Sequence, residues 1–117
     1  MKAFEYLQEE KLGVIIFTLK GELIDKDQSA EMMGKADAFI AAGKNKFVLE
    51  LSELKYVNSS GLNILINILT RARKSGGDVA IAGISKKVNE LLLMTKLNTI
   101  FNISDTISNA IEMLEKE

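Results

Sequence analysis

Neither histidine nor cysteine occurs among the 117 residues. Without cysteine there is no disulfide, no thiolate nucleophile and no Cys-ligated zinc. Without histidine the commonest general base near neutral pH is missing, as is the commonest transition-metal ligand. A Ser-His-Asp hydrolase cannot be assembled from this chain. No Gly-x-x-x-x-Gly-Lys-Ser/Thr phosphate loop is present either, and Gly76-Gly77 falls at a helix end instead of a strand-to-helix turn. Carboxylates such as Asp25, Asp27, Glu50 and Glu53 are scattered, with nothing to group them into an acid/base pair. These absences predict a protein with no catalytic residue, no cofactor and no metal site.

A surplus of one charge is lacking too. Fifteen basic residues face sixteen acidic ones, for a net charge of −1, so the cationic surface that neutralises nucleic-acid phosphates is not expected. Proline is absent, and no linker, low-complexity tract or internal repeat is visible. The most apolar stretch, Leu62 to Leu69, is broken by Asn63 and Asn67 and is far too short to span a bilayer. The start, Met1-Lys2-Ala3-Phe4-Glu5, has no apolar run suited to a signal peptide. A soluble, cytoplasmic protein with no membrane or nucleic-acid partner is the expectation.

What is present suits one domain over residues 1–117, with 47% hydrophobic residues to fill its core. Phe4, Tyr6 and Gln8 alternate with polar neighbours, and Leu12 to Leu19 is rich in Val, Ile, Phe and Thr. Two strands are predicted there, joined by a hairpin at Glu9-Glu10-Lys11. Gly21 to Asp25 leads to a helix from about Gln28 to Ala42, with Met32 or Met33, Ala36, Phe39 and Ile40 on one side, and Gly43 stops it. Phe47 to Leu51 reads as a short buried strand, Ser52 to Val57 as a link, and Ser60 to Ser75 as a helix. Val79 to Ala82 is the next buried strand, so strand, helix and strand form a parallel crossover.

Ser85 is placed to cap a helix carrying Val88, Leu91, Leu92 and Met94, and Leu97 to Ile103 holds a last short strand. Ser104 or Asp105 opens a terminal helix with Ile107, Ala110, Ile111 and Leu114 on one face. The fold class is α/β: a mixed sheet of about five strands with about four helices.

The segment Asn58-Ser59-Ser60-Gly61-Leu62 carries the candidate function. It lies at the C-terminal edge of a strand and runs into an amphipathic helix, where ligands and partners are met in α/β sheets. First-turn N–H groups lack intrahelical acceptors there, and the helix dipole adds positive character. A phosphate on Ser59 or Ser60 would sit in surroundings that favour anions. Gly61, without a side chain, would let another protein's loop approach closely. The same residues are also preferred helix caps, and the two roles are compatible. Ile64 and Ile68 lie outside the stripe of Leu62, Leu65, Ile66, Leu69 and Ala72. They either wedge against a neighbouring helix, with the one after Ser85 as the obvious candidate, or form an apolar patch for a partner.

Leu49-Glu50-Leu51-Ser52-Glu53-Leu54-Lys55-Tyr56-Val57-Asn58-Ser59-Ser60-Gly61-Leu62 resembles the signature of STAS domains, in particular bacterial anti-sigma factor antagonists. Thr18 to Leu23, Gly76 to Ser85 and Leu91 to Phe101 fit the same family in the same order, so the likeness covers nearly the whole chain. It implies a partner-switching protein. The partner would be an anti-sigma factor with serine kinase activity, which ends the binding by phosphorylating the motif serine, and a phosphatase would restore it. By position the phosphoacceptor is Ser59, with Asn58, Ser60, Gly61, Ile64, Ile68 and Asp25 in the partner contact. Asn58 stands where the family most often has aspartate, and Ile24 intervenes between Gly-Glu-Leu and Asp25. Related roles for such domains are subunits of lipid-transport machines or of stress-signalling assemblies, again as protein-binding modules.

Overall fold

A computed structural model describes residues 3–115; Met1, Lys2 and residues 116 and 117 lie outside it. Five strands, β1 (Phe4–Lys11), β2 (Val14–Leu23), β3 (Lys46–Val57), β4 (Asp78–Ala82) and β5 (Asn102–Ser104), form one sheet in the order β1-β2-β3-β4-β5. β1 runs antiparallel to β2, and every later pairing is parallel. Three helices join successive strands, α1 (Ala30–Ala41), α2 (Ser59–Lys74) and α3 (Lys86–Met94), and a fourth, α4 (Ile107–Glu115), follows β5. A 3-10 turn over Lys26–Ser29 precedes α1, and another over Leu97–Thr99 precedes β5. The mixed α/β sheet expected from the pattern is the one observed.

Strand alternation sorts the core into two layers. Ile15, Phe17, Leu19, Phe47, Leu49, Leu51, Val79 and Ile81 point to one face, where they pack with side chains of α1, α2 and α3. Val14, Ile16, Val48, Ala80 and Ala82 point to the other, which α4 covers through Ala110, Ile111 and Leu114. Alanine on β4 leaves room for α4 to lie close. At the edge strand, Tyr6 donates a 2.6 Å hydrogen bond from its hydroxyl to Glu31 on α1. Burial, followed by this bond, raises its pKa above the ordinary tyrosine value.

Three boundaries differ from the sequence expectation. The terminal helix begins at Ile107, with Thr106 Oγ1 accepting the N–H of Asn109 at 3.1 Å, because Ser104 still belongs to β5. The hairpin turns at Leu12-Gly13, with φ of 54° and 79°, instead of at Glu9-Glu10-Lys11. Two consecutive positive φ values match the twist of the flanking strands, and Gly13 supplies one of them without strain. Polar residues from Gln8 onward hid the strand's continuation. β3 runs on through Ser52 to Val57, the segment expected to be a link. Register shifts against β2 between Thr18 and Lys20 and between Gly21 and Glu22 put Leu54 and Val57 both inside. Those irregularities break the two-residue period by which a strand is recognised.

Candidate functional site

β2 and β3 end side by side, Leu23 opposite Val57, and α2 starts two residues after Val57. Asn58 makes that abrupt turn possible. Its extended backbone (φ −108°, ψ −167°) places the side chain back over the helix, and Oδ1 accepts the N–H of Gly61 at 3.0 Å. The other end of the same amide, Nδ2, donates to the carbonyl of Ile24 at 3.0 Å. One side chain therefore caps α2 and ties it to the loop after β2.

Ser59 and Ser60 occupy the first turn, exposed, and neither hydroxyl bonds elsewhere in the chain among the described residues. Their backbone N–H groups have no intrahelical acceptor, so the serines stand at the positive end of a 16-residue helix. The two hydroxyls are open to a partner.

Gly61 faces the opposite way. A Cβ there would collide with the carbonyl oxygen of Leu23 and lie 3.0 Å from Cβ of Val57. The glycine is needed because the first turn of α2 presses on the end of β2, not because a partner's loop approaches it. The close approach inferred from the sequence is internal to the fold.

Asp25 begins the 3-10 turn as its cap: Oδ1 accepts the N–H of Asp27 at 2.9 Å. Gln28 closes the turn by accepting from the N–H groups of Ile24 (2.9 Å) and Asp25 (3.0 Å) and donating to the carbonyl of Glu22 (3.2 Å). This turn and α2 enclose a depression of about 550 Å³ lined by Ile24, Asp25, Lys26, Ser60, Asn63 and Asn67, with Ile64 beneath. The structure thus brings Asp25 and Ser60 together around one opening, while Asn58 ties its two walls through Ile24 and Gly61.

Ile64 and Ile68 do not join them at the surface. They are 4% and 1% exposed and belong to the core with Met32 and Ala36. The reason is α1, which packs on that flank of α2 and is bridged to it by Arg71 and Asp37 at 2.7 Å. The neighbour is α1, not the helix after Ser85, and these two isoleucines form no surface patch.

A family model for the STAS domain matches residues 6–110. The chain belongs to the STAS domain family. The "Anti-sigma F factor antagonist" of Paenibacillus polymyxa is 31% identical over 107 residues, 92% of each protein. The NMR structure of the protein TM1081 superposes with a TM-score of 0.83 at 31% identity, over 97% of this chain and 90% of that one. Bacillus SpoIIAA has been solved phosphorylated (TM-score 0.73, 16% identical, covering 93% and 98%) and unphosphorylated (0.79, 17%, covering 97% and 98%), a likeness of fold.

Sequence reasoning missed several residues of this STAS domain's opening. Ile24 contributes through its carbonyl oxygen, which no side-chain motif reveals. Asn63 and Asn67 read as interruptions of an apolar run, yet their i, i+4 spacing with Ser60 three residues earlier already placed them on one helix face. On the other flank, Lys87 Nζ lies 5.2 Å from the ring centre of Tyr56, two residues before Asn58. Among the described residues no cluster of three acidic side chains could hold a metal, and no helix is long and apolar enough to cross a membrane.

Proposed function

We propose that this STAS domain is an anti-sigma factor antagonist: it binds an anti-sigma factor that is also a serine kinase, and phosphorylation of Ser59 ends the binding. A phosphatase restores it. The observation that carries this reading is the exposed Ser59 hydroxyl, with no bond to any other described residue, on the first turn of α2 beside the depression bounded by Asp25. The names of full-length relatives support the antagonist role.

The magnitudes suit a switch. A phosphoserine adds roughly −1.5 to −2 charges. Enclosing such a charge in an interface shaped for a hydroxyl costs several kcal/mol, and about 3 kcal/mol already weakens affinity more than a hundredfold. Nothing in the fold has to move.

The test is incubation with serine kinases of the same genome and ATP, followed by mass spectrometry of the Ser59 peptide. Ser59→Ala should bind the kinase and resist modification, while Ser59→Asp should lose binding. Equal binding by the two variants refutes the charge mechanism.

A further inference from the structure

We infer that the depression beside Ser59 recognises the main chain of an extended segment of the anti-sigma factor, with the side-chain amides of Asn63 and Asn67 pairing with its peptide groups. This inference rests on the function proposed above and names how the partner is read.

Both amides are exposed on α2 and line the same opening as Ser60. Neither bonds within the chain among the described residues. Asparagine is among the weaker helix formers, and positions 63 and 67 are too far inside α2 to serve as caps. The helix thus carries two unfavourable residues whose polar groups have no use within the fold. Each amide offers a donor and an acceptor, the complement of a peptide group. The facing wall carries one acidic and one basic residue, Asp25 and Lys26, so the opening has no net charge that would select a free phosphate or a lone cation. Its volume of about 550 Å³ is room for a few residues of extended chain. The walls are held in register by Asn58, whose amide joins α2 to Ile24.

The experiment uses the full chain and whichever anti-sigma factor phosphorylates its Ser59. Asn63→Ala, Asn67→Ala and the double variant are titrated against that protein by calorimetry, with melting temperatures measured in parallel. Each single change should weaken binding about tenfold and the pair about a hundredfold, as expected for lost interface hydrogen bonds. Melting temperatures should hold or rise, because alanine is the better helix former. A double variant that binds within twofold of the parent overturns the inference and leaves the proposed function intact. Weaker binding accompanied by a lowered melting temperature also overturns it, since the amides would then be structural. So does a loss of self-association in the double variant with unchanged affinity for the anti-sigma factor, which would make a second copy of the chain the occupant. Absence of any binding by the parent chain defeats the proposed function and this inference with it.

Discussion

Nδ2 of Asn58 lies 3.0 Å from the carbonyl oxygen of Ile24, across 34 residues of sequence. That bond needs a donor, which aspartate does not have at neutral pH. It gives a reason for asparagine at a position where aspartate would cap the helix equally well.

Asn58→Asp should therefore lower stability. The lost bond and the opposed oxygens cost about 1–3 kcal/mol, and the helix dipole returns about 0.3–1. A net loss near 1 kcal/mol is expected. Asn58→Ala loses the cap as well and should cost about 2 kcal/mol. Urea titrations of the three proteins check the order; an aspartate variant more stable than the parent would show that the Ile24 bond contributes little.

Gly61→Ala should be destabilising although alanine favours helix. The added methyl meets the Leu23 carbonyl, a backbone atom that cannot swing aside. Overpacking of about 3 kcal/mol against a propensity gain of about 1 leaves a net loss of about 2. Thermal unfolding should shift down by roughly 8 °C at about 4 °C per kcal/mol.

Ile68→Ala distinguishes core from surface directly. At 1% exposure it should cost about 2–5 kcal/mol, while a residue of a surface patch would change stability by about 0.5 or less. Chemical denaturation of this variant and of Ile64→Ala measures both.

Asp78 anchors the far end of α2. Its carboxylate accepts from Arg73 Nε (3.0 Å), the N–H of Val79 (2.8 Å) and Asn102 (3.3 Å), and Arg73 also donates to the carbonyl of Ile100 (2.8 Å). Asp78→Ala strips acceptors from donors near a buried side chain and should cost about 2 kcal/mol. Arg73→Ala should cost about half as much, because the guanidinium is half exposed and the carboxylate keeps its other partners. A larger loss for the arginine variant in thermal melts would contradict this asymmetry.

Much of the fold is legible along the chain because it depends on neighbours in sequence. Val, Ile and Phe runs mark β2 and β4, Gly43 (φ 88°) ends the first helix, and Ser85 caps α3 through the N–H of Val88. The start of α2 is visible for the same reason, since a cap acts within three residues. Where local signals were misread, a longer-range constraint had won. Leu54 and Val57 are strand residues because β2 lies alongside with a shifted register, and Ile68 is core because α1 covers its flank.

The amino-acid sequence alone determined the order of elements, the absence of histidine and cysteine chemistry, and the placing of two serines at the head of a helix. Only the tertiary structure decided that Gly61 serves internal packing, that Ile64 and Ile68 are interior, and that Ile24, Asp25, Asn63 and Asn67 share an opening. The physical reason is reach: caps and periodicities act over a turn or two, whereas the Asn58–Ile24 bond and the walls of the depression exist only once two parallel strands end side by side.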